Sequence, residues 1–502
     1  MFRIGKTLSD KKILLGYLLS GLCLGIGFLV PTLWVVVIFG VASFVWLVTL
    51  SDKYKVLAIG GLMAWTSKTL FAISWFWSVY PISVFDLDIG YSGLLVIFMY
   101  WSYVGVSIGL AGLFFALICS FLYKNFSKKF FILTLPFFWL LFEITGSYLF
   151  TLFSLGEGGT LNGVFSFGYI GYLLAEHPWL LQIANFGGVF TLTLVTVFLG
   201  VGLWQILTND GFTKRVQIIG IVLLVVWISG FLIDPKPIDN SVNKIKVAIV
   251  DTNFSGREYS SRSDRAEYHA KQMREALKTA LEAEVDYVVM SEDSRYIDAR
   301  LSPLSAYSIF RFDHADTEAV VIEAGRTPMP GGVVTLRATI YDGQAKTAYG
   351  VDKQYLVPQG EYMPKISTAV MNLFGLSETA KDIDSRVLYR PGPLFSQSAL
   401  PSHVPGVLFC FATADPLGVF KLTRERALPF IAHPVSHAWF NNPYTLWHQF
   451  DTMLKVQAVW NNVPIVSAGN KISGALYTEN GLKVEPEVFA SGESWQVKLV
   501  EF

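Results

Sequence analysis

Two patterns of apolar and polar positions divide the chain. Up to about residue 234, apolar residues run in long blocks with few charges between them. Beyond about residue 244 they recur with periods of two or near 3.6. Seven blocks approach or exceed the roughly 20 residues that cross a bilayer as helix: about 12–30, 32–50, 56–80, 91–123, 130–152, 178–207 and 216–234. The stretch 153–177, "FSLGEGGTLNGVFSFGYIGYLLAEH", is Gly-rich and reads as a loop or re-entrant piece. The first block has a long apolar core, and Leu22 precedes Cys23 where a lipoprotein signal needs a small residue. It reads as an uncleaved anchor.

The second half has the rhythm of a layered domain. "KIKVAIVDTN" (244–253), "VDYVVMSED" (285–293), "TEAVVIEAG" (317–325), "GVVTLRATIYDG" (332–343), "KTAYGVDKQYLVP" (346–358), "GVLFCFA" (406–412) and "VPIVSAGN" (463–470) read as strands. "SDRAEYHAKQMREALKTALEAE" has helical spacing after a Ser-Asp start, "YTLWHQFDTMLKVQAVW" reads as a second helix, and "ISGALYTENGLK" contains the Asn-Gly of a hairpin. Strands and helices in this order predict an α/β layered domain. The expected division is a membrane domain at 1–234, a linker at 235–243 and an extracytoplasmic α/β domain at 244–502.

Composition sharpens this division. The chain is 52% hydrophobic and 16% charged. Residues 1–240 hold 23 of its 78 Asp, Glu, Lys and Arg residues. Net charge is zero, which gives no basis for a nucleic-acid partner. Lysines and arginines also set an orientation. They occur at the N-terminus (Arg3, Lys6, Lys11, Lys12) and in alternate loops (Lys53 and Lys55; Lys124, Lys128 and Lys129; Lys214 and Arg215), whereas the opposite loops hold Asp86, Asp88, Glu157 and Glu176. The positive-inside rule places the N-terminus in the cytoplasm and, after seven crossings, the second half outside it. Two charges fall inside spans, Lys68 in "AWTSKTLF" and Glu143 in "LLFEITG". Charges at that depth are expensive unless paired, so a Lys68–Glu143 pair is expected, with contact to a lipid headgroup as the other reading.

Candidate chemistry sits at strand ends. Glu292 closes "VDYVVMSE", Lys353 follows "TAYGVD", and Cys410 lies in "VLFCFA". A carboxylate that takes a thiol proton, an ammonium that lowers the thiol pKa and stabilises an oxyanion, and a thiolate that attacks an acyl carbon form a working set. From spacing alone, a strand cysteine is more often a core residue. The three cysteines, Cys23, Cys119 and Cys410, offer no disulfide framework, and His314, His403, His437 and His448 have no metal-ligand spacing. No metal or cofactor is expected.

The Glu-Lys-Cys order resembles the nitrilase, or carbon–nitrogen hydrolase, superfamily, which implies an αββα sandwich. Seven spans before such a domain resemble the bacterial apolipoprotein N-acyltransferase family. "KQYLVPQGEYMP" (353–364) is close to that family's Lys-x-x-Leu-Val-Pro-Phe-Gly-Glu-Tyr-x-Pro motif, with looser echoes in "SWFWSVYPIS" (74–83), "FWLLFEITGSYLFTLFSLGEGG" (138–159), "HAWFNN" (437–442) and "VPIVSAGNKISGAL" (463–476). The resemblance implies Glu292 as general base, Lys353 as oxyanion-stabilising lysine, Cys410 as nucleophile and Glu361 as a second active-site glutamate, with the backbone N–H of Phe411 as an oxyanion donor. It implies a phospholipid acyl donor, a diacylated apolipoprotein acceptor and a place in the bacterial inner membrane; a monomer is expected. "ISTAVMNLFGLSE" (366–378) suggests an interfacial lid with Met371, Leu373 and Phe374 exposed, or an ordinary buried helix. The chain departs from the family where Phe411 and Ala412 replace Tyr-Glu, where Ser436 and His437 replace Asn-Asp, and where no eighth apolar block follows. A membrane-anchored amidase and a catalytically impaired paralogue that binds lipid or lipoprotein are the alternative readings.

Overall fold

The structure is a computed structural model. It describes residues 9–81, 92–208, 225, 228, 244–254, 263–294, 296–297, 302–314, 316–328, 334–373, 375, 377–378, 380–381, 389–392, 397–441 and 443–502. The seventh apolar block and the linker lie almost wholly outside the described residues.

In the first half, apolar blocks become helices α1 (Asp10–Leu29), α2 (Val36–Leu50), α3 (Tyr54–Ala72), α4 (Ser92–Asn125), α5 (Lys128–Phe153) and α8 (Gly188–Thr208). Four of these, α1, α4, α5 and α8, are long and apolar enough to cross a membrane. The third block does not stay helical to residue 80; α3 ends at Ala72 and a 3-10 segment, Ser74–Val79, follows. The sixth starts later than its apolar run, because residues 178–187 form a single turn α7 (Pro178–Leu181) and a 3-10 segment. Together with the turn α6 (Gly171–Leu174), this stretch folds back into the bundle. Phe165, Phe167, Tyr169, Ile170, Tyr172, Leu173 and Leu174 are buried in the same apolar core as the long helices.

Small residues let α3 and α4 approach closely, as membrane helices without a hydrophobic drive between them require. A Cβ on Gly61 would come 2.3 Å from the Gly112 carbonyl oxygen, and one on Gly112 would come 2.2 Å from the Trp65 ring. Trp65, Phe115 and Trp139 then stack around that contact, with ring centroids 5.1–5.7 Å apart. One end of the bundle carries the ion pairs Lys53–Asp10 (2.9 Å) and Lys124–Asp52 (2.8 Å).

The second half contains strands β1 (Lys246–Thr252), β2 (Tyr287–Glu292), β3 (Val320–Pro328), β4 (Val334–Asp342), β5 (Thr347–Asp352), β6 (Gly406–Val407), β7 (Ile431–Ser436), β8 (Ile465–Asn470), β9 (Ala475–Tyr477), β10 (Lys483–Val484), β11 (Glu487–Ser491) and β12 (Trp495–Glu501). They form two sheets joined at one seam, the single pair Thr252–Asn470 between β1 and β8. One sheet runs β11-β12-β1-β2-β3-β4-β5 and the other β6-β7-β8-β9-β10. Side-chain alternation assigns the layers. Val247 and Ile249 of β1 face inward and pack with Val289, Ile322 and Ile340 against Val407, Ala432, Val466 and Ala468 of the other sheet. The intervening Ala248 and Val250 face outward, against Met273, Ala276, Leu277 and Ala280 of α9 (Ser263–Glu282) and Phe310 of α10 (Pro303–Asp313). On the far side, Ile431 and Ile465 pack on Val419 of α12 (Gly418–Glu425) and on Leu454 and Ala458 of α13 (Tyr444–Asn461). The result is an αββα sandwich, as expected from the sequence.

The sandwich docks on the helix bundle through α13 and the turns at the C-terminal strand ends. Leu446, Phe450, Met453, Val456 and Val459 of α13 belong to the bundle's own apolar core. Gln449 donates to the Ala72 carbonyl (2.7 Å), and the Asn441 N–H to that of Ser78 (2.7 Å).

Candidate active site

Glu292 ends β2 in the buried middle of its sheet, and its 7% exposure leaves little water around the carboxylate. The chain turns sharply there. Asp293 has φ of +66°, a left-handed conformation uncommon for a residue with a side chain, and the turn is held by the Asp293 N–H on the Ala324 carbonyl (2.6 Å). Lys353 follows β5. Its N–H donates to the Leu336 carbonyl (2.7 Å) and its carbonyl accepts from Gly392 (2.7 Å), so the backbone is fixed on both sides. Its side chain is 1% exposed, and its Nζ lies 3.1 Å from Glu292 Oε1 and 2.7 Å from Glu361 Oε1. The other Glu361 oxygen accepts the Val357 N–H (2.8 Å), locking the "VPQGE" loop onto its own carboxylate. A buried ammonium is tolerable here because two carboxylates share it.

Cys410 is not in the middle of a strand. Pairing in "GVLFCFA" stops at Val407, and Cys410 opens a 3-10 turn, Cys410–Ala414, after the extended Phe409. The residue is partly exposed, and its Sγ lies 3.8 Å from the Ser436 carbonyl oxygen. Phe411, second in that turn, presents an N–H of the kind a helix start leaves without a helical acceptor.

The charges act on one another. Burial, opposed by Lys353 and reinforced by Glu361, pushes Glu292 up to about 7. Burial works against the Lys353 ammonium, but Glu292, Glu361 and Cys410 outweigh it and the net shift is upward. The sequence reading has the lysine lowering the thiol pKa. Here burial and the Glu292 charge outweigh Lys353, and the Cys410 thiol is pushed up. At rest Cys410 is therefore a thiol that feels the Glu292 charge. Histidine offers no alternative base. Burial pushes both His433 and His437 down to about 3, and the His433 ring nitrogens already pair with Thr413 Oγ1 (2.7 Å) and Ser467 Oγ (2.9 Å). Among the described residues there is no cluster of three His, Cys, Asp or Glu able to hold a metal ion.

The Gly-rich stretch, expected as a loop or re-entrant piece, is built into this site. Gly156 pairs with Pro364 in an antiparallel bridge, and a Cβ at Gly156 would come 2.3 Å from the Met363 carbonyl oxygen. Lys365 N–H donates to the Leu155 carbonyl (2.9 Å), Arg390 pairs with Glu157, and both the N–H and hydroxyl of Ser166 donate to the Ala414 carbonyl (3.2 and 2.7 Å). The bundle thereby grips both the Glu361 loop and the Cys410 turn. Only the close approach of Gly156 to another backbone was detectable in principle, since such contacts select glycine.

The suggested lid is helical, α11 (Lys365–Leu373). Leu373 is 82% exposed, but Met371 is 7% exposed and packs with Leu336, Leu356, Tyr362 and Met363. The exposed reading of Met371 fails because the helix turns that position onto the sandwich. Phe374 lies outside the described residues. The two intramembrane charges are side by side: Lys68 Nζ is 2.9 Å from Glu143 Oε1, and both side chains are buried. Glu143 also accepts the Ile170 N–H (3.1 Å) and the Thr193 hydroxyl (3.3 Å), which ties the re-entrant stretch to the pair.

A bundle with four helices long and apolar enough to cross a membrane carries an αββα sandwich in which Lys353 is held between Glu292 and Glu361. Residues 20–202 match the family model "Apolipoprotein N-acyltransferase N-terminal domain". The apolipoprotein N-acyltransferase of Agrobacterium fabrum (strain C58 / ATCC 33970) is 24% identical over 322 residues, 61% of this chain and 58% of that protein. The chain thus spans less than two thirds of that relative's length. Among solved structures, Nit3 of Saccharomyces cerevisiae, a member of branch 10 of the nitrilase superfamily, aligns with a TM-score of 0.37 and 16% identity over 51% of this chain and 89% of its own. A carbon–nitrogen hydrolase of Helicobacter pylori G27 aligns with a TM-score of 0.34 and 15% identity over 51% and 88%. Over these residues the chain is similar to apolipoprotein N-acyltransferases.

Proposed function

We propose that this protein moves a fatty acyl chain from a phospholipid to the N-terminal amine of a diacylated apolipoprotein through a thioester on Cys410. The observation that carries the reading is the buried Lys353 ammonium, held between Glu292 and Glu361 with its charge acting on the Cys410 thiol. In the first step Sγ attacks the ester carbonyl carbon while its proton passes to Glu292. The developing oxyanion is met by Lys353 and by the Phe411 N–H. The carbon–oxygen bond then breaks, and the lysophospholipid alkoxide leaves with the proton held by Glu292. In the second step the acceptor amine attacks the thioester, the carbon–sulfur bond breaks, and the amine proton returns to the sulfur through Glu292. The product is an amide, and the thiol is regenerated.

The site's contacts with the bundle favour lipid substrates over soluble amides, because Phe411 and the Glu361 loop meet the membrane half directly. We read residues 1–234 as the membrane part, 235–243 as linker and 244–502 as the catalytic part. In this reading the N-terminus is cytoplasmic and the sandwich extracytoplasmic in a bacterial inner membrane. Support comes from Lys53 and Lys124, which lie at the bundle end with Asp10 and Asp52, whereas the sandwich docks on the loops after α3 and α5. One chain supplies the whole set, so a monomer suffices.

The test is intact mass of the full chain in phospholipid nanodiscs. One fatty acyl group is expected on the wild type and none on Cys410→Ala, with discharge by a diacylated lipopeptide. An unacylated Cys410 that still reacts with a thiol alkylating agent would overturn the reading, and release of amine from a small amide without lipid would favour the amidase.

A further inference from the structure

A second cavity, of about 580 Å³, opens elsewhere along the strand-end edge of the sandwich. It is lined by the end of β1, the turn after β8, the β11–β12 turn and the first turns of α13; Glu292, Lys353 and Cys410 are not part of it. The volume is that of a small-molecule site.

Its buried charges are already spent on one another. Lys498 Nζ lies 2.7 Å from Asp251 Oδ2 and donates to Ser473 Oγ (2.6 Å), while the Asp251 oxygens also take the N–H groups of Gly469 and Gly474. Lys483 Nζ lies 2.8 Å from Asp451 Oδ2, and the other Asp451 oxygen accepts the Tyr477 hydroxyl. A charged ligand would lose hydration here and find no buried counter-charge free to replace it. The two remaining lysine and glutamate side chains of the lining, Lys471 and Glu493, are exposed and opposite in sign.

The rest of the lining is mostly neutral and polar (Thr252, Asn253, Ser473, Ser494 and Gln496), with His448 and three large aromatic rings. Tyr444 is 59% exposed, Trp447 is half-buried, and Trp495 is 8% exposed. Among the described residues, the indole N–H groups of Trp447 and Trp495 meet no acceptor. Paired charges with spare hydrogen-bonding capacity, neutral polar side chains and ring faces together fit a neutral ligand rich in hydroxyl oxygens. Hydroxyls both donate and accept, and a ring with C–H faces packs on indole and phenol. We propose that this cavity binds a neutral polyhydroxylated ring, a sugar of mono- or disaccharide size, independently of the acyl-transfer site.

The experiment uses the full chain in phosphatidylcholine nanodiscs, free of sugar-headed detergents, with cellobiose as probe and saturation-transfer NMR as readout. The expected result is transfer to the ring C–H protons, reduced at least about fivefold in Tyr444→Ala and in Trp447→Phe, as for loss of an anchoring aromatic. Inorganic phosphate and ethanolamine should leave the signal unchanged. Tyr444→Ala removes an exposed ring, so it tests the site even if Trp447→Phe perturbs packing. Absence of transfer at cellobiose concentrations up to about 20 mM, above the range of weak millimolar sites, would overturn the proposal. Equal transfer in Tyr444→Ala, or displacement by phosphate or ethanolamine, would do the same. Each of these failures leaves Cys410 acylation untouched.

Discussion

In the proposed mechanism Glu292 is the residue on which proton movement turns. Its carboxyl is pushed up to about 7, and the Cys410 thiol is also pushed up, so little thiolate stands ready at neutral pH. Below about pH 7 Glu292 holds its own proton and cannot take another; above that it is a carboxylate beside a thiol. The rate of Cys410 acylation should therefore rise with pH through about 7 and then level off. Glu292→Gln should lose that limb and slow acylation by about 10²–10⁴, the usual contribution of a positioned general base. Single-turnover acylation measured from pH 5.5 to 9 checks both. The spacing of Lys353 and Glu361 was legible in "KQYLVPQGEYMP", and the structure brings both together with Glu292. The upward shift of the thiol was not legible, because it comes from burial by residues far away in the chain.

Among the elements, α3 and α5 are joined by the Lys68–Glu143 pair deep in the bundle. Removing one partner strands a buried charge, which costs about 3–5 kcal/mol, whereas replacing both with apolar residues of similar size is often neutral. Lys68→Met should lower the melting temperature of the purified protein, and Lys68→Met with Glu143→Leu should recover part of the loss. Recovery should stop short of wild type, because Glu143 also accepts the Ile170 N–H and the Thr193 hydroxyl. Full recovery would mean those two bonds contribute nothing. Periodicity found the membrane helices well, yet it extended the third block past Ala72 and started the sixth ten residues early. Hydropathy registers apolar side chains, and the short turns at 171–187 carry enough of them, partly buried in the bundle core, to read as the start of a span. Met371 was misread for the same reason: an amphipathic helix fixes which residues share a face, but not which face meets protein.

On the scale of the molecule, the two halves share a core. Ala414 and five α13 residues are buried among the helices of the bundle, and the Gly156–Pro364 bridge ties the re-entrant stretch to the loop carrying Glu361. The sandwich should therefore not be a self-sufficient enzyme. Residues 244–502 expressed alone would expose Leu446, Phe450, Met453, Val456 and Val459, an apolar surface that marks an interaction site or an aggregation liability. The expected outcome in size-exclusion chromatography is association or aggregation, relieved by detergent, with no Cys410 acylation. A monodisperse, acylating fragment would show that the bundle does not support the site.

The sequence by itself determined the two-part architecture, because block length and period are local properties that every residue in a segment repeats. It also carried the Lys353–Glu361 spacing, because a motif of fixed spacing holds its own residues. Tertiary structure alone decided that Cys410 opens a 3-10 turn rather than sitting in a strand, that its proton is held tightly, and that the Gly-rich stretch supports the site. Each of those depends on which distant surfaces come together, and neither spacing nor composition encodes the partner of a buried group.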